Sequence, residues 1–193
     1  MRIVAGTRKG LKLEVPTGLA VRPTPSRVRE AAMSILGGFF DGERVLDLCA
    51  GSGAIGLELL SRGAGLAVFC EPNADARKIL ERNVARAKFG DAARVMAVDG
   101  QQALARLAKA GAKFELVWLD PPWEAELHVP LLNALAASGV VVDSGEIWVE
   151  SQSGIEDDAI PAAFERTERR SYGSVVVERL RPRVELGLAA EST

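Results

Sequence analysis

The sequence predicts an α/β domain built on a mainly parallel, seven-stranded sheet that ends in an antiparallel hairpin. Three observations carry that prediction. Short apolar strands alternate with helical patterns from residue 44 to residue 150. The first of these strands runs through Val45-Leu46-Asp47-Leu48-Cys49-Ala50-Gly51-Ser52-Gly53-Ala54-Ile55-Gly56 into a helix, a construction that lets a ligand come close to the main chain and to the unsatisfied N–H groups of the helix start. After residue 150 the alternation stops, and two β-type segments flank Tyr172-Gly173. Alternating strands and helices imply a parallel sheet covered on both faces, and strands joined by a tight turn imply an antiparallel finish.

The elements follow in order. Residues 1–15 alternate loosely, with Gly6 and Gly10 bracketing Thr7-Arg8-Lys9, and predict a small β-hairpin with a basic tip. Arg22-Pro23-Thr24-Pro25-Ser26 leads into Val28, Ala31, Ala32, Ile35 and Leu36, which share one helical face. Thr24 suits the cap of that helix, Pro25 its first turn and Gly37-Gly38 its end. Strands are then expected at 44–48, 66–71, 94–98, 114–119 and 146–150, with helices at 53–62, 74–89, 101–110 and 124–137 between them. The hairpin strands are 164–171 and 174–180. The organisation read from this is a basic hairpin-and-helix extension at 1–43, one α/β domain at 44–181 and a flexible tail at 182–193.

Composition narrows the function classes. With 193 residues and 48% hydrophobic content, the chain is long enough for one sizeable core and too ordered in composition for general disorder. No apolar run approaches the roughly 18 residues of a membrane span, and the first residues lack the core of a secretory signal, so a cytoplasmic protein is expected. Cys49 and Cys70 are expected to be free thiols, and His128, the single histidine, has no metal-ligand spacing around it. No metal and a monomeric state are the corresponding expectations. The net charge of −2 is unevenly spread. Arg2, Arg8, Lys9, Lys12, Arg22, Arg27 and Arg29 stand against only Glu14 and Glu30 in the first thirty residues, which suggests a polyanionic partner met at one place.

Gly51-Ser52-Gly53-Ala54-Ile55-Gly56 matches G-x-G-x-x-G, and Glu71 follows about 20 residues on, so a nicotinamide cofactor must be weighed. Three features favour S-adenosylmethionine (SAM). Asp47 puts a carboxylate beside the turn, where it would repel a pyrophosphate and welcome an ammonium group. Asp120-Pro121-Pro122-Trp123 ends a later strand. The terminal hairpin suits the methyltransferase variant of the sheet. Because ligands bind at the carboxyl ends of parallel strands, Asp47 to Gly53, Glu71, Asp99 and Asp120 to Trp123 should meet at one edge.

The glycine turn, Asp120-Pro121-Pro122-Trp123, the Arg22-Pro23-Thr24…Arg27-Val28-Arg29-Glu30 segment, the basic hairpin before it and Tyr172-Gly173 together resemble the RsmD family, over residues 1–180. The family's members are bacterial small-subunit ribosomal RNA guanine-N2-methyltransferases with a Rossmann-like SAM-dependent methyltransferase fold. Cys49 and Trp123 stand where the family often has Phe or Tyr, and Thr24-Pro25-Ser26 replaces Thr-Thr-Asp. The resemblance implies that Asp120, Pro121, Pro122 and Trp123 are catalytic. Asp120 and the Pro121 carbonyl would accept the amine hydrogens, and Trp123 would stack on the base. It implies that Asp47, Ala50, Gly51, Ser52, Gly53, Glu71, Pro72, Asp99, Gly100 and Asp120 bind SAM. Within that set, Glu71 would take the ribose hydroxyls, Asp99 the adenine amine and Asp47 the methionine ammonium. Arg8, Lys9, Arg22, Thr24, Arg27 and Arg29 would hold the ribosomal RNA, free or in an assembling small subunit.

Rival readings are an amino methyltransferase acting on DNA adenine or cytosine, a nicotinamide-dependent oxidoreductase, and a non-catalytic RNA-binding factor on a vestigial SAM fold. The first needs a target-recognition region for which there is little room. The second needs proton-transfer residues that a single His does not supply. The third is opposed by intact Asp120 and Gly51 to Gly56.

Overall fold

In a computed structural model that describes residues 1–16 and 38–184, the strands form one seven-stranded sheet. Its strands are β1 (Arg44–Asp47), β2 (Leu66–Cys70), β3 (Ala93–Met96), β4 (Phe114–Leu119), β5 (Val141–Ser151), β6 (Phe164–Tyr172) and β7 (Val175–Pro182). They lie in the order β3-β2-β1-β4-β5-β7-β6. The first five strands run parallel, and β7 inserts antiparallel between β5 and β6. The strand order reverses between β1 and β4, so a crevice opens beyond their carboxyl ends.

The helices are α1 (Ala54–Ser61), α2 (Ala74–Ala87), α3 (Gly100–Lys109) and α4 (His128–Ser138). Local chemistry sets their ends. The Asn73 side chain accepts the N–H groups of Asp75 and Ala76 at the start of α2, and Asp99 accepts that of Gln102 at the start of α3. Gly139 ends α4 in the left-handed conformation.

Two apolar layers sandwich the sheet. One contains Val45, Leu57, Leu59, Phe69, Leu80, Trp118 and Trp148, and the other Leu46, Val68, Leu104, Val117, Leu132, Ile147 and Val149. Neighbouring residues on one strand thus serve opposite layers, which is why the strands read as continuous apolar runs. Trp118 and Trp148, paired across β4 and β5, stack with ring centroids 6.3 Å apart and planes 8° from parallel.

Several boundaries differ from the expected ones: α2 stops at Ala87 instead of 89, and β7 runs to Pro182, past the expected 180 and into the expected tail. The strand expected at 146–150 begins at Val141, because Val141 pairs with Phe114 before an irregularity in the ladder brings Glu146 opposite Leu116. The polar Asp143-Ser144-Gly145 insert conceals that first segment. The helix expected at 124–137 divides into a short 3-10 turn at Trp123–Ala125 and α4 from His128, separated by Glu126 at φ 51°. Pro130 then falls in the first turn of α4, where its missing N–H costs nothing. β3 ends at Met96, two residues before the expected end.

The N-terminal arm is a narrow antiparallel turn. Arg2 and Lys12 form a bridge, the Ile3 N–H donates to Leu11 at 3.0 Å, and residues Gly6–Arg8 make a 3-10 turn at the tip. Ile3 and Leu13 are buried in the layer that α1 and α2 cover. The expected helix carrying Arg22, Thr24, Arg27 and Arg29 lies outside the described residues, as does the tail from residue 185.

Candidate active site

The carboxyl edge of the sheet gathers the acidic residues picked out by sequence. β1 delivers Asp47 to the edge, and the backbone turns at once, with Gly51 at φ 53° and Gly53 at φ 78°. A side chain at Gly53 would be strained by its left-handed backbone, and its Cβ would stand 2.3 Å from Leu80. The turn is pinned to its neighbours by the Ala50 N–H donating to Cys70 O at 3.0 Å and the Gly53 N–H to Ala50 O at 2.7 Å. α1 begins directly behind it, and its Gly56 N–H donates to Asp47 Oδ2 at 3.3 Å.

Glu71 stands just past β2 and is folded back onto this turn. Its Oε2 accepts the Gly51 N–H at 2.9 Å, and Oε1 accepts the Asn73 N–H at 2.8 Å. The carboxylate therefore fixes both the glycine turn and the start of α2, and each oxygen keeps further lone-pair capacity for a hydroxyl. Pro72 is exposed beside it. Asp99 caps α3 through Oδ1 at 2.8 Å from the Gln102 N–H. Gly100 lets the start of α3 lie close to α4, since a Cβ there would stand 2.7 Å from the Leu131 side chain. Asp120 is half-buried at the end of β4, followed by buried Pro121, exposed Pro122 and half-buried Trp123. The Pro122 carbonyl accepts the Ala125 N–H at 3.0 Å. Trp123 packs against the apolar layer containing Trp118 and Trp148.

These carboxylates feel one another. Burial pushes the Asp47 carboxyl up to about 7, the charges of Asp120 and Glu71 push the same way, and only the N–H groups of Gly56 and Cys49 oppose them. Burial also raises Glu71 above the usual carboxylate range, against the N–H groups of Asn73 and Gly51 and the Arg77 charge. The Cys49 thiol is raised by burial and then by Asp47 and Asp120; Cys70 is raised by burial and then by Asp47, Glu71 and Asp99. Asp47, Glu71, Asp99 and Asp120 thus form one negative field in which both thiols stay protonated and unreactive. Such a field stabilises a cationic ligand and opposes a pyrophosphate. Among the described residues, no group of His, Cys, Asp and Glu is arranged to hold a metal ion, and no helix is long and apolar enough to cross a membrane.

The basic residues of the arm are placed differently. Lys9 is exposed at the tip, whereas Arg8 lies across the end of α2. Its Nε donates to Ala87 O at 2.7 Å, and its guanidinium sits 5.2 Å from the Phe89 ring centre. Sequence reasoning passed over the polar residues that bind the arm to the domain. Glu58, fully buried on α1, accepts the Val4 and Ala5 N–H groups at 2.7 and 3.0 Å and pairs with Arg62 at 2.8 Å. Ser61 Oγ donates to Ala5 O at 2.6 Å and accepts the Arg8 N–H at 2.9 Å. Asn83, fully buried on α2, holds Glu14. The available signal was a polar residue on an apolar helical stripe: Asn83 lies with Ala76, Leu80 and Ala87 on the buried face of α2.

Comparison with known proteins agrees with this architecture. The family model described as Conserved hypothetical protein 95 matches residues 1–181. The Escherichia coli Ribosomal RNA small subunit methyltransferase D is 34% identical over 175 residues, covering 91% of this chain and 86% of that one. The Bacillus subtilis protein YlbH is 31% identical over 173 residues, covering 90% and 94%. The solved structure of Escherichia coli yhhF superposes with a TM-score of 0.82 at 32% identity, covering 96% of this chain and 99% of that one. With the family model spanning residues 1–181 and relatives above 30% identity over nine-tenths of its length, the chain belongs to the RsmD family, the group matched by the Conserved hypothetical protein 95 model, and has the Rossmann-like methyltransferase fold.

Proposed function

We propose that the chain is a SAM-dependent methyltransferase that modifies the exocyclic N2 of one guanine of small-subunit ribosomal RNA, guanine 966 by family pattern. The observation that carries this reading is the meeting of Asp47, Glu71 and Asp120 around a glycine turn, with two prolines and a tryptophan following Asp120. Those residues fit SAM, whose ammonium and sulfonium charges suit the negative field, and they do not fit a dinucleotide.

Asp47, Ala50, Gly51, Ser52 and Gly53 would hold the amino-acid end of the cofactor, Glu71 and Pro72 its ribose, and Asp99 and Gly100 its adenine. When bound, SAM supplies an activated methyl group. The chain's own residues then make a poor nucleophile competent. The guanine amine has its lone pair delocalised into the ring. The Asp120 carboxylate and the Pro121 carbonyl accept its two hydrogens, which turns the lone pair out of conjugation and fixes it in line. Pro121 and Pro122 have no N–H to compete for those acceptors, and they stiffen the loop. Trp123 stacks on the extruded base, worth roughly 1–3 kcal/mol. Lys9, the outward edge of Arg8, and Arg22, Thr24, Arg27 and Arg29 grip the RNA backbone.

A titration separates this reading from the dinucleotide one. S-adenosylhomocysteine should bind with one-to-one stoichiometry, and NADH in large excess should not displace it. Displacement by NADH would return the glycine turn to the oxidoreductase reading.

A further inference from the structure

The side chain of Asn83 makes three hydrogen bonds to two separate parts of the molecule. Its Oδ1 accepts the Glu14 N–H at 2.8 Å, and its Nδ2 donates to Glu14 O and to Ser52 O, each at 2.9 Å. Glu14 belongs to the basic arm, and Ser52 to the glycine turn. The amide orientation is fixed by the partners, because a backbone N–H can only donate and the two carbonyls can only accept. Paired with both the N–H and the C=O of Glu14, the side chain acts as a one-residue strand. Its remaining N–H carries the connection to the turn. The side chain is fully buried, so water cannot replace any of the three bonds.

α2 reinforces the joint from both sides. Arg82 and Arg86 hold the Glu14 carboxylate at 2.8 and 2.6 Å. One turn before Asn83, Leu80 fills the space against Gly53. The attachment through Glu58 and Ser61 joins the arm to α1 at Val4, Ala5 and Arg8 and makes no bond to the turn.

We infer that Asn83 is a positioning residue that couples the cofactor turn to the RNA-binding arm, so that filling the turn tightens the arm and engagement of the arm tightens the turn. The inference rests on the reading of the turn as the SAM site and of the arm as RNA-contacting. A ligand that settles the Ser52 backbone strengthens the bond to Asn83 and, through the same planar amide, the two bonds to Glu14. By reciprocity, RNA that orders the arm raises cofactor affinity by the same factor.

Residue-resolved amide exchange on the full chain, with and without saturating S-adenosylhomocysteine, tests this. The expected result is slower exchange at Gly51 and Gly53, with the Glu14 amide slowing about fivefold more than the Val4 and Ala5 amides, the lower end of ordinary coupling factors. Slowing at Gly51 and Gly53 without any preferential change at Glu14 overturns the coupling and leaves the cofactor reading in place. No slowing at any of these positions overturns both. The Asn83→Asp variant keeps the side-chain shape but turns an oxygen towards both carbonyls. In it the ligand should still slow Gly51 and Gly53, while the preferential response at Glu14 disappears; persistence of that response overturns the role of Asn83. The wild-type measurement decides the matter alone if the variant does not fold.

Discussion

At the scale of single residues, the site is governed by how far each carboxylate is taken out of water. Asp47 is the extreme case, raised to about 7 by burial and by its acidic neighbours. Its native pKa lies above that of an unfolded aspartate, so the folded chain holds the extra proton between about pH 4 and 7. Ligand-free stability should therefore fall as pH rises through that window, and Asp47→Asn should flatten the fall in a denaturant series. Cofactor binding has the opposite sense, because an ammonium group favours the ionised carboxylate. Affinity for S-adenosylhomocysteine should rise from pH 6 to 8 in the native chain and stay level in Asp47→Asn, as isothermal titration would show. Asp120 is tested by turnover. Asp120→Ala should lose about 10²- to 10³-fold in rate, the usual loss for one preorganised charge partner, while S-adenosylhomocysteine still binds. Asp47, Glu71 and Asp120 were legible in the sequence as acids at strand ends. Their mutual repulsion was not, because it depends on a separation that no spacing along the chain encodes.

At the scale of elements, the glycine turn works because α1 and α2 are packed hard against it. Gly56 shows how little room there is: a Cβ at that position would lie 2.3 Å from the Phe69 ring. Gly56→Ala should cost about 1–3 kcal/mol in denaturant unfolding, the range for overpacking a filled core, unless the ring finds a new rotamer. The arm depends on α1 in a different way. Glu58→Ala would strip the Val4 and Ala5 N–H groups of their acceptor and leave the Arg62 charge buried without its partner. A loss of about 3–5 kcal/mol is expected from breaking such a pair, with protease cutting concentrated in the first sixteen residues. The hairpin at β6 and β7 was readable from the two β-type segments that flank Tyr172-Gly173. The start of β5 was not, because the polar insert from Asp143 to Gly145 breaks its pattern; the apolar stripes around Glu58 and Asn83 mark those residues as buried, but their partners in the arm lie more than fifty residues away and no spacing along the chain encodes them.

For the molecule as a whole, one sheet edge holds the turn after β1 with Glu71 and Asp99 beside the loop after β4. In the proposed function the first is the cofactor half of the site and the second the substrate half. The arm, clamped on α1 and α2, brings positive charge to an otherwise mildly acidic chain. If Arg8, Lys9, Arg22, Arg27 and Arg29 each neutralise a phosphate, log affinity for RNA should fall with log salt at about −0.7 per contact, near −3 to −4 in all. Binding that stays flat from low to moderate salt would remove the arm from the interface. The most direct measurement is transfer of label from methyl-labelled SAM to small-subunit ribosomal RNA, and to small subunits, taken from cells lacking this protein, followed by nucleoside analysis. Label in N2-methylguanosine at a single site is the expected result; label in N6-methyladenosine, or none in RNA or subunits, would contradict it.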